Sequence, residues 1–373
     1  MTASKLRLAC IGLLSVLAAS TARSALVDRT IQVDCDHGGD LQAALRRAGP
    51  GPARIRVIGT CVGQFETTGN RIEIVGRSPA ESRIRAIGQG IWVPALHVSG
   101  PGQLTIRNLS IFDSDQGLIV GGPGRTVRVE GCEVTGNQYG ARADDGATLI
   151  LQDSQVRGNE WLGIGASANA FVAMSGGAVS DNYEGVYLSG NSRLDLRGVE
   201  VRGNRFLGVN AESLCTVTAT GTTFLDNGQG HARVVDRSGI TVFNSTVGQP
   251  GDATGASLLA DGGSRLTIVF HSPGIVYGTA YAYGGSNLIL EGGTLHDGAN
   301  LQVFSWAKAT NATVEGTISC QTGSDAICAG STSASVSGCG PVSSSCTGTP
   351  VPASEPPAFL KLAPEGEIDP PRR

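Results

Sequence analysis

The chain has 373 residues, a net charge of −4, 54 glycines and only 5% aromatic residues. Its cations are nearly all arginine, with lysine at Lys5, Lys308 and Lys361 alone, so nothing builds the basic surface that holds nucleic acid. The length suggests two or three globular domains, but few rings and many glycines suit thin coils and short turns better than bulky globular packing.

Residues 1 to 24 read as a secretory leader. Lys5 and Arg7 precede or enter the apolar run LACIGLLSVLAAS, and small residues suited to cleavage follow near Ala22 and Ser24. The run is too short to span a bilayer and no later one replaces it, so a secreted or periplasmic product without a transmembrane segment is expected. One of the nine cysteines lies in the leader, and the even set that remains fits an oxidising compartment. Cys35 and Cys61 flank the first helix and the first strand and are expected to pair. Asp40, LQAALRRAG and Pro50 supply the cap, apolar stripe and stop of a short amphipathic helix, placed to plug the N-terminal end of the strands that begin at Ala53. Asp34, Asp36, His37 and Asp40 crowd the same segment. Asp40 is accounted for as the helix cap and the others as a solvated acidic loop, so no metal site is expected.

From Ala53 short apolar strands begin irregularly, become regular between about Gly117 and Gly248, and then loosen. Asn137, Asn159, Asn182, Asn204 and Asn227 recur at spacings of 22, 23, 22 and 23 residues. A fixed period of that length means stacked coils, each burying its apolar face only against its neighbours. Period-two alternation turns Val127, Leu149, Val172, Leu194, Val217 and Ile240 inward, with a second column two residues on and a third at Val134, Val156, Val179, Val201, Phe224 and Val247. Amides stacked about 4.8 Å apart can hydrogen-bond from coil to coil, and Asn tolerates the left-handed backbone that a sharp bend requires.

These columns resemble the right-handed parallel β-helix family that includes pectate lyases and many secreted repeat proteins, over roughly Ala53 to Ile318. The resemblance implies an all-β, right-handed parallel β-helix (a β-solenoid) of about 22–23 residues per coil, with a capping helix at its N-terminus and the Asn ladder inside the bend after the second strand. The expected organisation is a leader over 1–24, the β-helix with its cap over 25–320, and a Cys/Ser/Gly-rich, then Pro-rich tail over 321–373. In that tail Cys320, Cys328, Cys339 and Cys346 form a cluster able to staple itself. Cys132 and Cys215, inward and several coils apart, are expected to be buried free thiols.

Arg193, Asp195 and Arg197 alternate outward on one first strand, the face to which the resemblance assigns the active groove. A lyase acting on an acidic sugar needs a cation to neutralise the uronate and a base to take the proton, and this trio supplies part of that set. The adjoining coils present Phe171, Ala173, Ser175 and Thr216, Thr218, Thr220, which leaves no second carboxylate beside Asp195 to hold calcium. A solvated ion-paired face is the competing reading. Tyr139, Trp161, Tyr183 and Phe206 form another column just after the ladder. Pointing out, they make a rib on which sugar rings stack; pointing in, they make a hydrophobic corner shielding the ladder. The inward corner is the expected arrangement, because stacked inward rings fill a solenoid bend.

No G-x-S-x-G, H-E-x-x-H or G-x-x-x-x-G-K-[ST] motif occurs. Catalytic residues are therefore unassigned and no cofactor is expected, calcium having no ligand set in its support. The expected role is recognition of an extracellular or cell-envelope polysaccharide, with processing by a lyase, epimerase or glycoside hydrolase left open. The alternative is a non-catalytic structural or adhesive scaffold, favoured by the short, uniform turns, since a catalytic cleft is usually built from long loops.

Overall fold

The computed structural model describes residues 29–86, 93–250, 257–270, 274–303, 305–321, 323–329, 331–339 and 347–350. The expected leader and the Pro-rich stretch beyond residue 350 lie outside them. Every strand pairs in parallel with its counterparts one coil away. The coil formed by Arg193–Arg197, Glu200–Arg202 and Leu207–Ala211 is representative. Leu194 lies level with Val172 and Val217, Val201 with Val179 and Phe224, and Val209 with Val186 and Ala232. All are buried, so each apolar side chain rests on its equivalents above and below and the core is one continuous column.

The Asn ladder runs through the bend between second and third strands. Each amide Nδ2 donates to the Oδ1 of the next Asn, at 3.1, 2.9, 3.0 and 2.8 Å from Asn137 to Asn227. It also donates to a carbonyl one coil back, as Asn182 does to Val156 at 3.2 Å. Each receiving Oδ1 takes the backbone N–H of the preceding Asn as well. The left-handed backbone expected of the asparagines belongs instead to the residue before each one: Gly136, Gly158, Asp181, Gly203 and Asp226 have φ of 64°, 61°, 58°, 63° and 51°. Asn is selected here by its amide. Glycine follows for a steric reason, since a Cβ on Gly185 would lie 2.4 Å from the Gly208 carbonyl oxygen and 2.8 Å from the Asn204 amide. Replacing Asn182 by Leu strands the amides on both sides, and a loss of about 1 to 3 kcal/mol is expected. Thermal melting reads it, and an unchanged midpoint would contradict the structural role given to the ladder.

A second ladder runs at the bend before the first strand. Ser192, Cys215, Ser238, Ser264, Ser286, Ser305 and Ser324 share one buried register position. Backbone N–H groups donate to the side chain one coil on: Ser192 to Cys215 Sγ at 3.3 Å, Cys215 to Ser238 Oγ at 3.0 Å and Ser305 to Ser324 Oγ at 3.1 Å. A third, shorter set at the next bend includes Cys132 N–H to Ser154 Oγ and Ala312 N–H to Ser331 Oγ. Cys132 and Cys215 are free and buried as expected, and both stand in these small polar columns. Burial pushes the Cys132 thiol up to about 11, away from the reactive thiolate range.

One residue breaks the small-residue column. Arg125, level with Ala147, is fully buried. Its guanidinium donates to the carbonyls of Gly100, Gly69, Thr68 and Ser99, which ties its own coil to the two that precede it.

At the N-terminal end, helix α1 (Leu41–Ala48) is capped by Asp40, whose side chain accepts from Ala43 N–H at 2.9 Å, and buries Leu41, Ala44, Leu45 and Ala48 against the strands Thr30–Asp34, Ala53–Val62 and Phe65–Thr67. Cys35 and Cys61 are disulfide-bonded. Toward the other end, coil pairing does not stop at residue 320, the boundary expected from the sequence. Asp325–Ala329 pairs with Trp306–Thr310, and Thr332–Ser337 pairs with Thr313–Cys320. Serine there fills the ladder columns, which makes genuine coil look like low-complexity text. Cys320 bonds to Cys339, Cys328 is also disulfide-bonded, and Cys346 lies outside the described residues.

Candidate functional site

Several charges on the outward face of the first strands are paired with one another. Near its start Glu73 is held by Arg54 Nε and Arg107 Nη1, each at 2.6 Å, and Arg107 also reaches Glu130 at 2.7 Å. Further along, Arg193 pairs with Asp195 in its own strand at 3.0 Å and lies over the Phe171 ring, 5.5 Å from its centroid. Asp195 is buried beneath it. Arg197 is exposed at the far end of the strand, level with Ser175 and Thr220. The structure thus brings Arg193 and Asp195 together as a self-neutralised pair, with no carboxylate on the adjoining strands to join Asp195 around a cation.

The aromatic column lies outside the bend, against the expected inward corner. Trp161, Phe206 and Tyr139 are half-buried and Tyr183 is 37% exposed. Trp161 and Tyr183 pack with centroids 5.5 Å apart, and Tyr183 stacks on Phe206 at 5.8 Å with the planes 9° apart. The ladder amides and the glycines beside them already fill the inside of this bend, which leaves the rings only the outer side. Trp161, Tyr183 and Phe206 form an apolar rib across three coils.

Immediately beside that rib, on the outward side of the third strands, lies a polar cluster that sequence reading missed. Glu184 follows Tyr183 directly, and around it come Tyr187 from its own strand, Asn210 and Glu212 from the next coil, and Arg233 from the coil after. Glu212 gathers three donors: Tyr187 Oη at 3.1 Å, Arg233 Nη1 at 3.2 Å and Asn210 Nδ2 at 3.3 Å. Glu184 has no such set. Burial pushes its carboxyl up to about 7, the Glu212 charge acting in the same sense while Asn210 and Arg233 oppose. Burial, and then Glu212, also raise the Tyr187 phenol to about 12. A carboxylic acid poised near neutrality beside a second, hydrogen-bonded carboxyl group can give or take a proton at ordinary pH. The available signal was the row of polar residues Tyr187, Asn210 and Arg233 at equivalent outward positions of third strands.

The second strands carry a groove of about 440 Å³ lined by Glu133, Gln155, Arg157, Ser180, Asp181 and Arg202 among others. In it Glu133 pairs with Arg157, and Arg202 with Glu200. In the N-terminal segment Asp34 pairs with His37 at 3.0 Å and Asp36 accepts from Thr60 N–H. Among the described residues no group of three or more His, Cys, Asp or Glu is arranged to hold a metal ion, and no helix is long and apolar enough to cross a membrane.

Comparison with known proteins agrees with this architecture. A family model described as "Right handed beta helix region" matches residues 94–272. The A-module of mannuronan C-5 epimerase AlgE6 from Azotobacter vinelandii superposes with a TM-score of 0.55 at 16% identity, covering 85% of this chain and 93% of that one. The AlgE4 A-module of the same organism gives 0.52 at 15%, covering 84% and 90%. Tailspike protein 2 from Escherichia coli O157:H7 bacteriophage CAB120 gives 0.51 at 11%, over 66% of this chain and 42% of the tailspike. A search of curated proteins finds no match. At such identities the likeness is one of fold, and the fold, the matched region and the coil-by-coil register agree: this chain folds as a right-handed parallel β-helix.

Proposed function

We propose that the protein recognises an extracellular or cell-envelope polysaccharide along the flank where the aromatic rib borders the third-strand face. The observation that carries this reading is the outward rib of Trp161, Tyr183 and Phe206, set directly beside hydrogen-bonding groups. Apolar ring surface next to polar side chains suits a sugar, which offers both C–H faces and hydroxyls. The fold supports the reading too, since it carries a mannuronan C-5 epimerase in one similar structure. Two disulfides between described residues favour an oxidising compartment outside the cytoplasm. The Arg193, Asp195 and Arg197 face is the lesser candidate, because its first two charges already satisfy each other.

Titrating a panel of neutral and acidic oligosaccharides into the wild type, Trp161→Ala and Arg193→Ala/Arg197→Ala tests this. Loss of Trp161 is expected to weaken binding about tenfold, equivalent to 1.4 kcal/mol, and the double arginine variant to bind as wild type. Raising salt toward molar should leave binding intact, since it screens exposed charge pairs within about 3 Å. Absence of binding to every glycan would favour the non-catalytic scaffold, and loss confined to the arginine variant would move the surface to the first-strand face.

A further inference from the structure

Three buried polar atoms without hydrogen-bond partners converge on one patch: Glu184 Oε1, Asn210 Oδ1 and Arg233 Nε. They come from three successive coils of the third-strand face. Native interiors leave few such atoms unpaired, and a cluster of them needs a reason. The patch is not sealed, since Glu212 and Arg233 keep 28% and 24% of their side chains exposed, while Asn210 is 4% exposed and held by its neighbours.

We infer that Glu184, Asn210 and Arg233 form a subsite for adjacent hydroxyls of an uncharged sugar residue. This rests on the polysaccharide reading and names the site and the sugar class within it. The hydrogen-bonding capacity of the three atoms calls for hydroxyls, and the charge around them sets the sugar class. Asn210 Oδ1 accepts only, so the ligand must bring an O–H; Arg233 Nε donates only, so the ligand must bring a lone pair. A hydroxyl does both, and two adjacent hydroxyls reach two such atoms at once. A uronate carboxylate has no hydrogen for Asn210 and would add a negative charge beside Glu212. Arg233 is already neutralised by Glu212 at 3.2 Å, so this cation is compensated within the patch. With Glu184 holding its proton the patch is neutral overall and gains a further donor.

The carboxyl of Glu184 faces Asn210, Glu212, Arg233 and Tyr187. Its value, raised to about 7 by burial, fixes the pH behaviour: the acid is protonated and donates below that pH, and loses the proton as pH rises through it. Binding of an uncharged oligosaccharide is therefore expected to weaken about tenfold between pH 5.5 and 8.5, corresponding to one hydrogen bond to the ligand.

The test titrates neutral gluco-, manno- and galacto-oligosaccharides, and oligouronates as the contrasting probe, into the full chain at both pH values. Wild type, Glu184→Gln, Asn210→Leu and Trp161→Ala are compared. Neutral oligosaccharides should bind; Asn210→Leu should lose at least about tenfold; Glu184→Gln, which keeps a donor but no titrating proton, should bind with a flat pH profile. Because Glu184→Gln barely changes shape, it decides the matter even if Asn210→Leu fails to fold. Wild-type affinity and pH dependence in both cluster variants, with loss in Trp161→Ala, would overturn the subsite and leave the polysaccharide reading standing. Tighter binding of oligouronates, lost in the cluster variants, would overturn the sugar class. No binding of any glycan by wild type would remove the reading on which the inference depends.

Discussion

Replacing Arg125 by Met is expected to lower the stability of the β-helix by about 1 to 3 kcal/mol for each carbonyl left buried without a donor. The guanidinium is fully buried and serves four carbonyl oxygens drawn from the two preceding coils. Hydrogen bonds made by a charged group are each worth about 1.5 to 3 kcal/mol, and Met fills the space while satisfying none of the acceptors. The carbonyls of Thr68 and Gly69 would then lose their donor from the later coil. Lysine is an informative second variant: it keeps the charge but offers three donors from a single point, so it should recover part of the loss and leave at least one acceptor unmet. Chemical denaturation followed by circular dichroism measures both. A methionine variant with an unchanged midpoint would show that the carbonyls reach water without the guanidinium.

Removing the Cys35–Cys61 disulfide, by reduction or by a double alanine substitution, is expected to cost about 3.5 kcal/mol on the chain-entropy estimate for its sequence separation of 26. The bond fastens the short turn Cys35–His37, which leads into helix α1, to the strand Ala53–Val62. Its loss should release the N-terminal end first. Protease cleavage confined to that end in the double variant, with a lowered urea midpoint, is the expected result. Alkylation of either cysteine without prior reduction would show the bond absent from the mature protein.

Features that repeat along the chain were legible from residues alone. The asparagine column, the inward apolar columns and the Cys35–Cys61 pair each follow from period, alternation or flanking elements, and each occurs as expected. Features that depend on what the bends bring together were not. Serine ahead of first strands is ordinary loop composition by itself, and only the register shows that Ser238, Ser264 and Ser286 stack in one column; serine in the same columns hides the coils beyond residue 320. The aromatic column was visible as a column, but its direction depends on how much of the bend interior the amides occupy. Arg125 lies on the inward parity of its strand, where a charged residue contradicts the apolar pattern, and its acceptors are more than fifty residues away in sequence at Gly69 and Thr68. Glu184 reads as a surface residue in SDNYEGVYL; its burial among later coils, with the Glu212 charge added and Asn210 and Arg233 opposing, raises its proton affinity.

The direction of the ladders has a mechanical consequence. The parallel backbone bonds, the amide chain and the hydroxyl chain all link each coil to the next along the long axis. Tension applied between the two ends loads one interface at a time, so the molecule should peel coil by coil, each release of about 22 residues freeing about 75 Å of slack. A sideways load is shared by many interfaces at once. The Cys35–Cys61 and Cys320–Cys339 bonds sit toward the two ends, where peeling would start.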